Sequence, residues 1–337
     1  MTSMPVAQHA HTIRALAPAD LPAVVAIDAA AEGHSRRDYV ERRLRAAQRE
    51  PELHAQFAAA DDAGVVGFML ARVLAGEFGQ RRRALRLEAL GVRADRRGFG
   101  VGRSLFEVLA AWGTRHDCST IRTTANWQDT ALLDWFDSLG FELAPEVILH
   151  CRVDGSAGRS AAELPLVEPV HEIDYGRDEA NDHERLGRDA AQVASMTRGD
   201  LDAIVRIDRL VTGRDRRDYI TSRLDEALDN TSVRVSLTAR CDGAVVGMLM
   251  ARADLGDFGR PEAVAVLDTL GVDPDYARRG IGRALLAQLF AHLDALRVEG
   301  VETIVPLGEL ELLSFLRAVG FEQGRRLSFV RRLGSGR

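Results

Sequence analysis

Apolar positions along the chain alternate with polar ones in some stretches and recur every three or four residues in others. Over residues 12–153 this patterning predicts, in order, a strand, two helices, three strands, a helix, a strand, a helix and two strands. The predicted strands are 12–16, 54–60, 65–73, 85–92, 120–124 and a pair within 141–153. The predicted helices are one opened by Pro18, one at 36–48, one after Gly102 and one at 129–139. We expect the last pair of strands to close the sheet of its own half.

The same pattern occurs a second time along the chain. The segment LEALGVRADRRGFGVGRSLF starts at Leu87 and LDTLGVDPDYARRGIGRALL starts at Leu267, so the displacement is 267 − 87 = 180 residues. A repeat of this length is a duplicated domain, because solenoid repeats have periods of a few tens of residues. We therefore predict two domains, 12–153 and 192–333, joined by a linker at 154–191.

Composition narrows the class of protein. The 337 residues are 46% hydrophobic and 28% charged, as in globular proteins, with a net charge of −6 that argues against a nucleic-acid partner. No apolar run is long enough to predict a membrane span. The linker carries ten acidic and four basic side chains, which favours a solvated tether. The three cysteines are scattered and lack metal-ligand spacing, so we expect reduced thiols, a cytoplasmic location and no metal site.

A glycine-rich turn, Arg97-Gly98-Phe99-Gly100-Val101-Gly102, joins the strand 85–92 to the helix that follows it. Glycines let a backbone approach a ligand closely, and the first N–H groups of a helix form a phosphate site. The dinucleotide-binding fingerprint is excluded, because Arg103 stands where the third glycine would have to be. The arrangement resembles the acetyl-CoA loop of the GNAT acetyltransferases, whose pattern is Gln/Arg-x-x-Gly-x-Gly/Ala.

The resemblance covers both repeats and carries several implications. It implies an α/β fold (an α+β mixed sheet), in which each domain has a central, mostly antiparallel sheet flanked by helices. It implies acetyl-CoA as cofactor, with its pyrophosphate on the loop N–H groups and its pantetheine arm along the strand before the loop. The residues implied in cofactor binding are Leu90, Gly91, Val92, Arg97, Gly98, Phe99, Gly100, Val101, Gly102, Arg103 and Asn126 in the first repeat, and Leu270, Gly271, Val272, Arg278, Arg279, Gly280, Ile281, Gly282 and Arg283 in the second.

A carboxylate in the middle of an apolar strand is the leading candidate for catalysis. It is Glu88, matched in the second repeat by Asp268. Side chains alternate along a strand, so Glu88 should share a face with Leu90, where it could bind a cationic amine or take its proton. The alternative is a structural carboxylate paired with Arg86 or Arg36.

Tyr39 is the other candidate, because it falls where GNAT proteins build the acceptor wall. It could donate a proton or line the groove, and a buried core tyrosine is the alternative. The tyrosine that many GNAT enzymes use to protonate the leaving thiolate is replaced here by Phe136 and Leu316. The usual general acid is therefore absent from both repeats.

Two further groups of ionisable residues leave their roles open. Glu77 and Asp257 form a second matched acidic pair in predicted loops, with a substrate role and a plain turn both possible. The histidines, among them His54 and His150, have no mutual spacing that suggests a site, so we expect surface or structural roles.

These features favour an acetyl-CoA-dependent N-acetyltransferase whose acceptor is a primary amine, either on a small molecule or on a protein lysine or N-terminus. The first half should be the better catalyst, because the second has Ala277 and Pro306 where the first has Arg97 and Asn126. The alternative is a non-catalytic acyl-CoA-binding or sensing protein. We expect the halves to pack as a pseudo-dimer within one chain; homodimerisation of the chain stays open. Neither nucleic acid nor a membrane is expected as a partner.

Overall fold

The computed structural model describes residues 10–74, 76–77, 82–153, 191–229, 234–255 and 263–334. The predicted linker, apart from Ala191, lies outside the described residues, as does Asp257. The helices are α1 Leu21–Glu32, α2 Arg37–Arg49, α3 Val101–Arg115, α4 Thr130–Ser138, α5 Leu201–Thr212, α6 Arg217–Asp229, α7 Ile281–Ala295 and α8 Leu310–Ala318. Within the described ranges, no helix combines the length and the apolarity that crossing a membrane requires.

The strands form two sheets of seven. They are β1 Thr12–Ala15, β2 His54–Asp61, β3 Gly64–Leu74, β4 Ala84–Val92, β5 Thr120–Asn126, β6 Glu142–Leu143, β7 Glu146–Arg152, β8 Gln192–Ser195, β9 Arg234–Cys241, β10 Ala244–Leu255, β11 Ala263–Val272, β12 Gly300–Pro306, β13 Glu322–Gln323 and β14 Arg326–Arg332. The first sheet has the order β1-β2-β3-β4-β5-β14-β6, and the second has β13-β7-β12-β11-β10-β9-β8. Only β4–β5 and β11–β12 pair in parallel among the described strands. The predicted α/β class with mixed sheets flanked by helices is confirmed.

The two halves exchange one strand each. Strand β7 leaves the first half and pairs along its whole length with β12, while β14 leaves the second half and pairs with β5. Leu149 and Cys151 of β7 belong to the core of the second half, and Phe329 of β14 belongs to the core of the first. The prediction that 141–153 closes the sheet of its own half is therefore wrong for β7. Local patterning marks a strand but not its partner, since the choice depends on long-range packing.

Helices cover both faces of each sheet, but not along its whole width. In the first half α3 and α4 pack on one face, and α1 and α2 pack on the other face over β3 and β4. On that second face, β5 and β14 lie against the second sheet. Arg122 on β5 pairs with Glu146 on β7 at 2.6 Å, and Arg326 on β14 pairs with Glu302 on β12 at 3.4 Å. The two halves thus contact each other through the exchanged strands β7 and β14 and the neighbouring strands β5 and β12.

Strands β4 and β5 separate part of the way along their length. Their parallel pairing ends at Arg86 and Arg122. At the branch, the hydroxyl of Thr123 donates a hydrogen bond to the carbonyl oxygen of Leu87 at 3.2 Å, closing the base of the opening. The second half repeats the arrangement, with Thr303 Oγ1 donating to the carbonyl of Leu267 at 2.8 Å. Each sheet therefore opens beside its glycine loop.

Candidate active site

The glycine loop presents backbone donors at the start of α3. Gly98 and Gly100 have φ angles of 80° and 81°, in the left-handed region that favours glycine. The first intrahelical hydrogen bond runs from Ser104 N–H to the carbonyl of Gly100 at 3.0 Å, so the N–H groups of 101–103 have no partner within the helix. With the positive end of the helix dipole, they suit a phosphate group. The loop therefore fits the pyrophosphate of a coenzyme A ester.

The second loop keeps the same backbone despite its different sequence. Arg278 and Gly280 have φ angles of 64° and 77°, and the first bond of α7 runs from Ala284 N–H to the Gly280 carbonyl at 3.0 Å. A non-glycine residue in the left-handed region costs on the order of 1–2 kcal/mol. The second half retains the donor geometry even with an arginine in place of the first loop glycine.

A cavity of about 1300 Å³ lies at the opening between β4 and β5 and continues to both faces of the first sheet. On the face of α3 and α4 its walls include Val101, Gly102, Arg103, Leu132, Trp135 and Phe136. On the opposite face they include Glu32, Arg36, Glu88, His150, Arg152, Glu299, Glu302, Arg325 and Arg326. The residues from 299 onwards come from the second half, and His150 and Arg152 lie on the exchanged strand β7. The cavity is thus built by both halves.

Most of the residues predicted for the first site line this cavity. They are Glu88, Leu90, Gly91, Val92, Arg97, Gly98, Gly100, Val101, Gly102, Arg103 and Asn126. Phe99 is not among the lining residues and is 45% exposed. Tyr39 is also not among them: it is buried, with the guanidinium carbons of Arg36 and Arg43 at 5.3 and 5.1 Å from its ring centre. Its predicted role in proton transfer stays a prediction.

A β-bulge changes the direction in which Glu88 points. Leu70 on β3 is opposite Ala89 and Ala71 is opposite Leu87, which leaves Glu88 as the extra residue of β4. Leu87 and Leu90 consequently contact the core on the α3 side, while Glu88 and Ala89 lie on the α2 side. The prediction that Glu88 shares a face with Leu90 and Val92 is wrong, because strict alternation does not hold across a bulge.

The carboxylate of Glu88 is held by two guanidinium groups. Arg72 Nε donates to its Oε1 at 2.8 Å, and Arg43 Nη2 lies 3.2 Å from the same atom. These contacts from β3 and α2 differ from the pairing with Arg86 or Arg36 that the sequence suggested as an alternative. The residue is only 2% exposed, yet it reaches the cavity wall.

The corresponding wall of the second half is covered by the chain of the first. Arg216 Nη1 donates to the carbonyl of Gly76 at 2.5 Å, and a Cβ placed on Gly76 would lie 3.1 Å from the ring of Tyr219. Burial, then the nearby carboxylates of Asp268 and Glu77, hold the pKa of Tyr219 well above its usual value. Asp268 occupies the bulge that matches Glu88, between the paired residues of β10 and β11. Its predicted catalytic role stays a prediction.

Glu77 is part of a buried charge cluster rather than of a solvated turn. Its side chain is 0% exposed and lies 3.2 Å from Arg72 Nη1. Burial raises the pKa of this carboxyl, but the charges of Arg72, Arg223 and Arg252 outweigh burial and bring the pKa to about 2. Because Arg223 and Arg252 belong to the second half, Glu77 ties the two halves together.

Sequence reasoning missed the cavity residues that the other half supplies. Arg325 and Arg326 enter the first site with the exchanged strand β14, and Glu302 enters it on β12 of the second sheet. His150 belongs to the first half but reaches the site on β7, which pairs with the second sheet. They have no motif of their own, and the glycine-loop residues that share the cavity with them are far away along the chain. A signal would have required knowledge of which strand each one pairs with.

Comparisons with solved structures agree with the fold. A fungal multi-domain GH3 β-N-acetylglucosaminidase with a glucosamine N-acetyltransferase region matches with a TM-score of 0.63 and 16% identity. The match covers 96% of this chain and 38% of that one. A GNAT protein from Sphaerobacter thermophilus gives a TM-score of 0.59 at 18% identity, with 97% of this chain and 96% of that one covered. A tandem GNAT protein from the clavulanic acid biosynthesis pathway gives 0.53 at 18% identity, with 85% of each chain covered. At these identities the likeness shows the fold alone.

No curated protein matches the sequence. A model of the acetyltransferase (GNAT) family does match, once over residues 21–141 and again over 202–321. The fold of that family supports transfer from an acyl-CoA to an amine. Since the two matches take up more than half of the sequence, the chain belongs to the acetyltransferase (GNAT) family and carries its domain twice.

Proposed function

We propose that the first half transfers an acetyl group from acetyl-CoA to a primary amine. The observation that carries this is the cavity that continues from the glycine loop, through the opened sheet, to an end on the other face that is lined by carboxylates, arginines and a histidine. Such a passage lets the acyl donor enter from one face and the acceptor from the other. A small-molecule amine and a protein lysine or N-terminus both stay within the proposal.

The first half has the groups that an acetyl-CoA molecule needs. The N–H groups of 101–103 would hold its pyrophosphate, and the unpaired edge of β4 at 87–92 would pair with its pantetheine arm. When bound, the thioester supplies an activated acetyl group. A backbone N–H near Leu90 or Gly91 would stabilise negative charge on the carbonyl oxygen, as oxyanion-hole donors do.

The acceptor end of the cavity differs in charge from the equivalent place in the second half. Its carboxylates are Glu32, Glu88, Glu299 and Glu302. At the positions displaced by 180 residues the chain has Thr212, Asp268, Ser119 and Arg122. Carboxylates attract an ammonium group, and arginine repels it. Four arginines line the same end, Arg36, Arg152, Arg325 and Arg326, and the displaced positions have Arg216, Arg332, Pro145 and Glu146. The first end therefore has four carboxylates and four arginines, and the second has two carboxylates and three arginines, a difference of one charge that favours acceptor binding in the first half.

The covered wall of the second half supports the same assignment. The carbonyl of Gly76 accepts a hydrogen bond from the Arg216 guanidinium, and the Gly76 backbone lies against the ring of Tyr219. An acceptor amine would have to displace this segment. We therefore assign to the second half a structural role, which its intact loop could combine with binding of a CoA ester.

One observation favours the alternative, a non-catalytic acyl-CoA-binding or sensing protein. Phe136 and Leu316 stand where many family members have the tyrosine that protonates the thiolate. Both side chains are buried, with 2% and 1% of their surface exposed. Neither can protonate a thiolate. The first proposal holds if the thiolate leaves unprotonated or takes its proton from solvent.

The test is release of the CoA thiol by the full chain from acetyl-CoA, with spermidine, glucosamine, lysine and a lysine-containing peptide as acceptors. Calorimetry on the same protein counts the acetyl-CoA sites. Gly100→Val should abolish turnover and remove one binding site, because it strains the backbone at φ 81° and displaces the N–H donors.

Gly213→Val is the matched control, since Gly213 has a φ of 69° and open space around it but ends α5, away from both loops. It should leave turnover near the wild-type rate. Binding without thiol release for every acceptor would support the sensing protein. Turnover that survives Gly100→Val but is lost in Gly280→Val would assign catalysis to the second half.

A further inference from the structure

The strand exchange places a histidine at the acceptor end of the cavity. His150 lies on β7, where Leu149 and Cys151 point into the core of the second half. Since side chains alternate along a strand, His150 points the other way, toward the first sheet, and it lines the cavity. Among the described residues that line the cavity, His150 is the only histidine.

The neighbouring strand makes room for this ring. A Cβ placed on Gly300 of β12 would lie 2.5 Å from His150 Nε2, so any larger residue there would displace the imidazole. At the positions displaced by 180 residues the chain has Val330 and Thr120. The first cavity therefore has both the histidine and the glycine that makes room for it, and the displaced positions have neither.

A chain of polar contacts connects His150 to the opening of the sheet. Thr124, one residue after the branch, accepts a hydrogen bond from Arg326, and Arg326 Nη1 lies 3.4 Å from Glu302 Oε2. Glu302 is directly opposite His150 in the β12–β7 register, so the two side chains share a face. The contacts thus run from the first sheet to Glu302, the residue opposite the histidine.

Charged residues on several strands lie around the ring. Glu302 on β12 and Glu322 on β13 are both opposite His150 in register. The carboxylate of Glu302 is paired with Arg326, and that of Glu322 lies 3.6 Å from Arg317 on α8. The arginines on the histidine's side of the cavity include Arg326 on β14, which is paired with Glu302, Arg325 just before that strand, and Arg152 two residues along β7. Glu88 is shared by two guanidinium groups and is poorly placed to accept a proton.

We propose that His150 is the general base of the first half, supplied to it by the strand exchange; this deepens, and rests on, the proposed N-acetyltransferase function. An imidazole nitrogen of His150 takes one proton from the acceptor ammonium group. The neutral amine then forms the amide bond with the acyl carbon as the C–S bond breaks, and the sulfur leaves with the bonding electrons. The second proton of the nitrogen is released to the thiolate or to water, so charge and atoms balance.

The experiment compares the full-length wild type with His150→Gln, which keeps a polar side chain of similar length but cannot act as a base. We expect acetyl transfer to fall by about 100-fold or more, with acetyl-CoA affinity within about twofold of wild type. The fall of kcat/KM on the acid side of the pH profile should disappear. His292→Gln is the control, because His292 lies on α7 with Gln288 at 3.1 Å and should behave as wild type.

A second readout does not depend on turnover. The imidazole carbon resonance of His150, identified by its loss in the variant, should shift when spermidine is added to the protein saturated with coenzyme A. An unmoved resonance, or a variant with wild-type rate and pH profile, would overturn the assignment of the base alone. A wild type that binds acetyl-CoA but acetylates no amine would instead overturn the proposed function, and this assignment with it.

Discussion

Replacing Glu77 by glutamine should destabilise the whole protein, because it removes the negative charge that several buried guanidinium groups share. Glu77 is fully buried beside Arg72, and the charges of Arg223 and Arg252 also act on it. Gln preserves the size of the side chain, so packing changes little. The perturbation therefore isolates the charge cluster between the halves.

The size of the effect follows from the pKa of the carboxyl group. Burial raises that pKa, but the arginine charges lower it further, from 4.5 to about 2. Each pKa unit corresponds to about 1.4 kcal/mol, so the charged form of Glu77 contributes roughly 3 kcal/mol to the folded state. Loss of one partner from a buried ion pair typically costs about 3–5 kcal/mol, which agrees. Because the folded pKa lies below the unfolded one, this stability is present above about pH 4.5 and is lost as pH falls toward 2.

The assay is urea unfolding at pH 7, followed by circular dichroism, for the wild type and Glu77→Gln. Asp95→Asn is the control, since Asp95 is paired with Arg93 but is 57% exposed and should leave stability close to wild type. We expect the free energy of unfolding to fall by about 3 kcal/mol in the glutamine variant, and its acid sensitivity between pH 4.5 and 2 to weaken. A loss below about 1 kcal/mol with an unchanged acid profile would refute the reasoning.

Three further expectations follow from the same structure. A chain that ends before β14 should lose ordered structure in the first half, although β14 belongs by sequence to the second, since β5 loses its neighbour and Phe329 leaves the first core; wild-type ellipticity would contradict this. His54 should remain neutral well below pH 6, because burial, followed by the charge of Arg43, lowers its pKa to about 4; an NMR titration with a midpoint near 6.5 would refute this. Because the unfolded chain protonates His54 at a higher pH than the folded chain does, the folded state loses stability as pH drops from 6.5 toward 4. Glu88→Gln should slow acetyl transfer roughly tenfold at near-normal acetyl-CoA affinity, because it removes a carboxylate that attracts the acceptor ammonium group; an unchanged rate would remove Glu88 from acceptor binding.

The candidate site was predictable from the sequence wherever local backbone chemistry decides the structure. The strand, the glycine turn and the helix from Leu85 to Trp112 follow from residue spacing, and Gly98 and Gly100 adopt the left-handed conformations that glycine favours. The duplication extended the prediction to the second half, where Arg278 keeps the same conformation without a glycine.

The direction of individual side chains was less predictable. Glu88 was identified as a buried carboxylate of interest, but its face and its partners were not. The bulge that redirects it arises where β3 and β4 come into register, with Leu70 opposite Ala89. Register depends on how a pair of strands packs, and the sequence of one strand does not contain it.

By itself, the sequence determined the order of helices and strands, the duplication and the loop that suits a pyrophosphate, because all three depend on residues close together along the chain. Only the tertiary structure decided which sheet receives β7 and β14, and with them the positions of His150 and Arg326 at the first cavity. The pattern of apolar residues along a strand specifies which face is apolar, but it does not specify which strand it pairs with. The partner is selected by burial and by charge pairs such as Arg122 with Glu146, which form only when distant segments meet.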